Sequence, residues 1–464
     1  MIIWGTRRIQ KHQMDAYISS CVRQLKGMGI KPGDRVALSA PTSAEYMVLL
    51  LSLWRMKAVA CPIDPHWPQK MADAYSARIN ARHFLKGGDL QRAVCFDARQ
   101  PAPAVSGDDL AIDQEATVIA TSGTSGAPKA AVHTWGNHFY SAQGSQEVIP
   151  LTASDRWLLS LPLYHVAGIA VVVRCFLAGA SVIIATDKDL IPAIERNQAT
   201  HVSLVPAQLY RMLEDPKNHP ALKSLKCILL GGSAVAPHLI ERSLSLDLQV
   251  YLTYGLTEMS SQVATGKLVD AKIPCAKILP YRQMRIACDG EILVKGETLF
   301  KGYVMGSRLH LPLTPDGWFS TGDLGALDGQ GSLTVLGRKD NMFISGGENI
   351  QPEEIEKVLL AIKGVEQAMV VPEENKDYGH RPVAFVKFHG QAMDPEHLTD
   401  ILKKELPRFK IPDVFYPWPK DLEYFSKARR REAGKGVFLP VFLWVVTCTV
   451  LPVPTSFLRL FLMV

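Results

Sequence analysis

The chain has 464 residues, 47% of them hydrophobic and 21% charged, with a mean hydropathy of +0.05. That balance excludes a disordered chain, and the length points to two or three domains rather than one core. The formal net charge of +6 is too dilute over this length to argue for nucleic-acid binding, although it suits polyanionic small ligands.

The N-terminus, Met1-Ile2-Ile3-Trp4-Gly5, meets Arg7 and Arg8 at once and lacks the apolar core of a secretory signal. The eight cysteines form no CxxC pair, and most sit in apolar runs, as Cys227 does before Ile228-Leu229. They read as buried free thiols of a reducing compartment, so a cytoplasmic location is expected.

Arg35-Val36-Ala37-Leu38 reads as a strand after the turn Lys31-Pro32-Gly33-Asp34, and a helix follows from about Ser43 to Met56. Val59 to Ile63, Ser181 to Ala185, Val202 to Val205 and Cys227 to Leu230 are further buried strands separated by helical stretches. This rhythm predicts an α/β fold whose large N-terminal domain carries largely parallel sheets. From about Gly290 the texture changes. Glu291 to Val294, Gly317-Trp318-Phe319 and Ser332 to Leu336 read as short strands between Gly and Asp turns, giving a small antiparallel β subdomain.

After Asp340, Pro352-Glu353-Glu354 opens a helix with proline at its start and acids in its first turn. Ala368 to Val371 and Val383 to Val386 are strands of a small α+β C-terminal domain. The expected organisation is an N-terminal domain 1–339, a C-terminal domain 340–436 and an atypical apolar tail 437–464. Val437 to Leu458 contains no charged residue, which is near the length that spans a bilayer, yet Pro440, Pro452 and Pro454 interrupt it. The tail is read as an end foreign to the fold, a tail anchor or a packed apolar extension. Any membrane contact is expected only there, and the oligomeric state, including a homo-oligomer, is left open.

The sharpest motif is Thr121-Ser122-Gly123-Thr124-Ser125-Gly126-Ala127-Pro128-Lys129, directly after the strand-like Thr117 to Ala120. Its hydroxyls donate hydrogen bonds, its glycines let backbone N–H groups approach a polyphosphate, and Lys129 can neutralise departing charge. The spacing is not that of a Walker loop. A polar turn is the plainer reading of Ser, Thr and Gly alone.

This motif resembles the first core motif of the adenylate-forming superfamily of acyl-CoA synthetases, luciferases and adenylation domains. The resemblance runs from about Arg35 to about Asp413, with later motifs in the expected order. Within the superfamily, Pro128 to Thr134, Trp157 to Val166, Ser203 to Leu209, Ser345 to Glu354 and Tyr378 to Val383 are most similar to the 2-succinylbenzoate–CoA ligase family of menaquinone biosynthesis.

That resemblance implies ATP and CoA as co-substrates, Mg²⁺ as the metal and 2-succinylbenzoate as the acid. It implies nucleotide contacts from Thr121, Ser122, Gly123, Thr124, Ser125 and Gly126, from Gly231, Gly232 and Ser233, and from Tyr254, Gly255 and Thr257. Glu258 and Thr124 would hold the metal, a carboxylate being suited to a hard cation. Tyr254 would stack on adenine, and Asp323 with Arg338 would contact the ribose. Asp340 lies where the family places its hinge, after which Gly346 and Gly347 would serve the thioester step. His165 resembles a gate beside the acyl pocket; the alternative is a satisfied core histidine.

Arg174, inside Val171-Val172-Val173-Arg174-Cys175-Phe176-Leu177, needs a partner because an unpaired buried charge is costly. A diacid substrate offers one, since only one of its carboxylates is activated. A protein acid or an outward-pointing guanidinium is the alternative, and Ser260 and Ser261 are further candidates for that carboxylate. The family's C-terminal catalytic lysine is best matched by Lys427 in Ser426-Lys427-Ala428-Arg429-Arg430, with Lys435 in Gly434-Lys435-Gly436 as its rival. The usual glycine before the lysine is absent. The expected activity is adenylation of the acid followed by transfer to CoA. The alternatives are a ligase for another acyl or aryl acid, and a nucleotide-binding homologue with impaired catalysis.

Overall fold

The computed structural model describes residues 1–94, 96, 111–121, 128–185, 189–271, 276–306 and 308–419. The described chain divides into two units, Met1–Asp340 and a second beginning at Asn341.

The first unit holds two large sheets whose centres are parallel and whose edges are antiparallel. In the nine-stranded sheet, Val250–Leu256, Cys227–Gly231, His201–Leu204, Arg156–Leu159, Ser181–Ile184 and Ile2–Trp4 lie side by side in parallel. Ser261–Lys267 and Lys277–Ile278 continue it antiparallel at one edge, and Arg7–Ile9 at the other. The parallel strands are buried on both faces, as their unbroken apolar runs anticipated. In the seven-stranded sheet, His83–Lys86, Arg35–Ser39, Val59–Pro62 and Glu115–Thr121 are parallel. Lys129–Thr134, Gly302–Met305 and Arg308–His310 then complete it antiparallel.

Helices cover these sheets where the sequence supplies stops and starts. Ala44–Arg55 begins at Ser43, whose Oγ accepts from the Tyr46 amide at 3.2 Å, and nearly every side chain of the helix is buried. Val166–Ala178 ends at Gly179 in the left-handed conformation (φ 68°). Its Gly168 is needed for close packing, because a Cβ there would lie 2.2 Å from the Pro162 carbonyl oxygen. This approach fixes the helix that carries Arg174.

The small subdomain is an antiparallel sheet of Arg282–Ile286, Glu291–Gly296, Phe319–Leu327 and Leu333–Arg338. Here the sequence reading needs correcting. Gly317 and Trp318 are not strand but the close of a turn in which the Trp318 amide donates to Thr314 Oγ1. The strand starts at Phe319 and runs through Thr321-Gly322-Asp323.

The second unit packs helices Pro352–Ala361 and Pro395–Glu405 on a sheet of Val365–Asn375, Gly379–Phe388 and Phe415–Pro417. Ile355, Leu359, Val370, Ala384, Leu398 and Leu402 form its core. A hairpin of Phe343–Ser345 and Glu348–Ile350 precedes these elements. No described helix is long and apolar enough to cross a membrane. The apolar tail, residues 437–464, lies outside the described residues. Among the described cysteines Cys21, Cys61, Cys175 and Cys227 are buried free thiols, while Cys288 is exposed because it sits in a turn. Burial pushes the Cys21 thiol up to about 11 and the Cys61 thiol up to about 12, which keeps both unreactive.

Candidate active site

The phosphate-loop motif joins two antiparallel strands, not a strand to a helix. Glu115–Thr121 and Lys129–Thr134 pair antiparallel, with a register shift between Glu115 and Thr117, and Thr121 stands directly opposite Lys129 at the base of the loop. Ser122, Gly123, Thr124, Ser125 and Gly126 lie outside the described residues. Lys129 is exposed and its Nζ sits 5.0 Å from the centre of the Tyr303 ring.

Tyr303 connects this hairpin to the Tyr254–Glu258 motif. Its hydroxyl donates to Glu258 Oε1 at 2.5 Å, while its ring packs edge-on against Phe300. Burial and the Glu258 carboxylate raise the phenol's pKa, so it remains a donor. The Glu258 carbonyl is held in turn by the Phe300 amide at 2.8 Å. His133, on the hairpin strand, donates from Nε2 to the Thr257 carbonyl at 2.7 Å and is fully buried. Desolvation lowers it to about 4, leaving the ring neutral. Behind it, Thr117 Oγ1 lies 2.8 Å from His138 Nε2 and 3.4 Å from His133 Nδ1.

Tyr254 and Gly255 are strand residues inside Val250–Leu256, and the short 3₁₀ turn Thr257–Met259 follows. Gly231 is the register partner of Thr253 on the neighbouring parallel strand. A Cβ on Gly231 would lie 2.6 Å from Thr253 Cγ2, and Gly232 has φ 91°. Gly231, Gly232 and the exposed Ser233 thus share the C-terminal ends of adjacent strands with Tyr254. In open α/β sheets ligands bind there.

Tyr254 Oη donates to Asp323 Oδ2 at 2.8 Å, and Arg338 Nη1 donates to Asp323 Oδ1 at 2.9 Å. Asp323 and Arg338 are register partners across two strands. Arg338 Nε continues to Asp340 Oδ1 at 3.0 Å. One chain of polar contacts therefore joins the aromatic face, the ribose candidate and the hinge candidate. A carboxylate has about four acceptor positions, so Asp323 retains capacity for two hydroxyls.

Arg174 is 4% exposed. Its Nη2 lies 3.5 Å from Ser261 Oγ, its guanidinium lies 5.5 Å from the Trp157 ring centre, and its Nε has no partner. No protein carboxylate pairs with it among the described residues, and it does not point outward, so both alternatives to a ligand contact lose ground. Desolvation lowers it to about 10. His165 is exposed at the N-terminal end of the same helix, so it is not a core histidine. Desolvation still favours its neutral form, with the Asp64 carboxylate opposing.

Ser260 is fully buried and donates to the Thr298 carbonyl, so Ser261, not Ser260, faces Arg174. In the second unit, Gly346 and Gly347 form the two-residue turn of a hairpin, with φ 57° and 86°. Gly346 N donates to the Tyr378 carbonyl at 3.0 Å. Lys427 and Lys435 lie outside the described residues.

Sequence reasoning missed Tyr303, His133, Ser141 and Arg282. A tyrosine two residues after Lys301 and a histidine four after Lys129 carry no local signal; only strand pairing reveals them. For Mg²⁺ the donor set is lean. No group of three or more His, Cys, Asp or Glu comes together among the described residues. A magnesium ion that completes its shell with nucleotide oxygens needs only one or two protein carboxylates, and the half-buried Glu258 fits that need.

Comparison with known proteins identifies the family. The family described as AMP-binding enzyme matches residues 1–304, and the AMP-binding enzyme C-terminal domain matches residues 354–423. The chain is 37% identical over 400 residues to the 2-succinylbenzoate–CoA ligase of Salmonella typhimurium, covering 85% of each. It is 34% identical to the Escherichia coli enzyme of that name, covering 88% of each. Among solved structures, a point variant of Escherichia coli MenE with bound OSB-AMS superposes with a TM-score of 0.81 at 30% identity, covering 94% of both chains. The o-succinylbenzoate coenzyme A synthetase (MenE) of Bacillus subtilis in complex with ATP and magnesium ion gives 0.78 at 29% identity, covering 90% of this chain and 92% of that one. The chain belongs to the AMP-binding enzyme family, in company with the 2-succinylbenzoate–CoA ligases.

Proposed function

We propose that the chain activates 2-succinylbenzoate with ATP and transfers the acyl group to coenzyme A. The products are 2-succinylbenzoyl-CoA, AMP and diphosphate, and the step serves menaquinone synthesis. The observation that carries the choice of acid is Arg174: a buried guanidinium with an unpartnered Nε and, among the described residues, no carboxylate partner. Leaving such a charge unpaired is costly, a bound anion would complete it, and a diacid keeps one carboxylate free while the other reacts.

In the first half-reaction the substrate carboxylate attacks the α-phosphorus of ATP and diphosphate departs. Thr121, Ser122, Gly123, Thr124, Ser125 and Gly126 cradle the phosphates, and Lys129 at the base of that loop neutralises charge on the leaving group. Lys427 is assigned to the carboxylate and α-phosphate. Gly231, Gly232, Ser233, Tyr254, Gly255 and Thr257 hold the nucleotide, and Asp323 and Arg338 orient the ribose. Glu258, with Thr124, would hold Mg²⁺, which when bound neutralises phosphate charge. Ser261 supports Arg174 on the remote carboxylate, and His165 stands at the acyl entrance. In the second half-reaction the CoA thiol attacks the mixed anhydride and AMP leaves, a step assigned to the Gly346–Gly347 turn after motion at Asp340. The buried free thiols fit a reducing cytoplasm.

Incubation with ATP, Mg²⁺, CoA and the diacid should give 2-succinylbenzoyl-CoA by mass spectrometry. Equal turnover of benzoate or fatty acids would remove the assignment of the acid. An Arg174→Met variant should lose preference for the diacid while still binding ATP.

A further inference from the structure

The turn that leaves the nucleotide motif runs through two non-glycine residues in left-handed backbone conformations, Ser260 (φ 55°) and Ser261 (φ 106°). Such residues persist only where their surroundings over-determine them. Here every polar group of Ser260 is fixed. Its N–H donates to the Thr257 carbonyl at 3.0 Å, its Oγ donates to the Thr298 carbonyl at 3.0 Å, and its carbonyl accepts from Ser141 Oγ at 2.6 Å. Across the turn, the backbone approaches so closely that a Cβ on Gly255 would lie 2.1 Å from the Ser261 carbonyl oxygen.

Ser141 is itself held by Arg282. Arg282 Nη2 donates to Ser141 Oγ at 3.1 Å and to its carbonyl at 3.2 Å. Nη1 donates to the Pro280 carbonyl at 2.7 Å and Nε to the Gln262 carbonyl at 2.6 Å. The fork thus clamps the helix Trp135–Gln146, the residues before Arg282 and the strand Ser261–Lys267. Gly144 makes the room, since a Cβ there would lie 2.3 Å from Arg282 Nη1. Arg282 is 5% exposed and has no carboxylate partner among the described residues. Desolvation and the nearby charge of Arg174 lower it to about 9. A second buried cation of like sign beside Arg174 is a costly way to satisfy a few carbonyls. Its planar five-donor fork does what a neutral amide or a lysine cannot, holding three segments in one geometry.

We infer that Arg282 is a positioning residue for acid selection: through Ser141 it locks the Ser260–Ser261 turn, so that Ser261 holds the Arg174 guanidinium in place for the remote carboxylate of the diacid. This rests on the proposed function, in which Arg174 meets that carboxylate.

The test uses the full chain and diphosphate release, with 2-succinylbenzoate and, for comparison, benzoate. Ser141→Ala removes the relay hydroxyl without touching any charge, Arg282→Met removes the fork, and Arg282→Lys keeps a charge with fewer donors. Ser141→Ala and Arg282→Met should raise the KM for the diacid about tenfold or more, the effect of a lost buried hydrogen bond to a charged group. The KM for ATP should stay within about twofold, and Arg282→Lys should fall between. Thermal unfolding and calorimetric ATP binding establish that each variant is folded; if Arg282→Met does not fold, Ser141→Ala carries the test. An unchanged diacid KM in folded Ser141→Ala overturns the inference. So does an equal rise in the ATP and diacid KM values, which marks general loosening. Failure of the wild-type chain to adenylate the diacid at all sinks the parent reading instead, and is seen before any variant is measured.

Discussion

Replacing Tyr303 by phenylalanine isolates one contact of the proposed site. The ring stays, and with it the packing on Phe300 and the face that Lys129 Nζ approaches at 5.0 Å. Only the hydroxyl that donates to Glu258 Oε1 at 2.5 Å is lost. A hydrogen bond to a charged group contributes about 1.5–3 kcal/mol. If all of it orients Glu258 toward the reacting nucleotide, kcat/KM for adenylation falls roughly tenfold to a hundredfold. Glu258 is half-buried, so water can partly replace the hydroxyl, which favours the lower end. ATP–diphosphate exchange reads the first half-reaction alone and is the assay of choice. The loss should not depend on pH across the neutral range, because the raised pKa of Tyr303 keeps it protonated throughout. Thioester formation from pre-formed acyl-adenylate should be unaffected. Wild-type exchange kinetics in Tyr303→Phe would show that the hydroxyl does nothing for Glu258, and the reasoning would fail.

Acid should destabilise the chain between about pH 6.5 and pH 4. His133 titrates near 4 in the folded state against an ordinary 6.5. Its contribution is fully present above 6.5 and is lost as pH falls through the window, amounting to roughly 3 kcal/mol by linkage; His201, also lowered to about 4, adds in the same direction, and Tm against pH checks it. Gly346→Ala places a Cβ at φ 57° and 2.7 Å from Tyr378 Cδ1, so the hairpin turn should distort at a cost of about 1–2 kcal/mol. Thioester formation should slow while diphosphate release continues, and parallel loss of both would refute the assignment of that turn. Lys427→Ala should lower adenylation about a hundredfold or more with thioester formation from pre-formed acyl-adenylate retained, whereas Lys435→Ala should leave both intact; rapid quench kinetics separate the steps.

The legible parts of the fold were those where one strong local signal sufficed. The helix Ala44–Arg55 was readable because Ser43 caps it and its apolar run is continuous. The parallel strands were readable because burial on both faces leaves no polar alternation, as in Ser181–Ile184. Phe319–Leu327 was misread at its start, since Gly317-Trp318 looks like strand but closes a turn. Sheet pairing with Glu291–Gly296 and Leu333–Arg338 overrides that local chemistry. In the site, Arg174 stood out because a charge inside an apolar run violates a local rule. Arg282 did not, because its neighbours are polar; its burial arises from Gly144 and Pro280, which only tertiary contact can disclose.

The pleat of one strand ties the hairpin of Glu115–Thr121 and Lys129–Thr134 to the Thr257–Met259 turn. In Lys129–Thr134 alternate residues face opposite ways. Ala130 and Val132 join one apolar cluster, with Val59 and Cys61, while Ala131 joins another, with Met259, Phe300 and Tyr303. Lys129, Ala131 and His133 therefore share the face that meets the Thr257–Met259 turn. Along it, Lys129 reaches the Tyr303 ring, Ala131 is small enough to admit Phe300 and Tyr303, and His133 grips the Thr257 carbonyl. A one-residue slip of the pairing with Glu115–Thr121 would turn all three away at once. Under the proposed function, register is thus a condition of catalysis as well as of stability. The loop Ser122–Ala127 can change length or composition only if Thr121 still faces Lys129. Inserting one residue into the strand between Lys129 and His133 should abolish ATP–diphosphate exchange, because it puts the lysine and the histidine on opposite faces of the sheet.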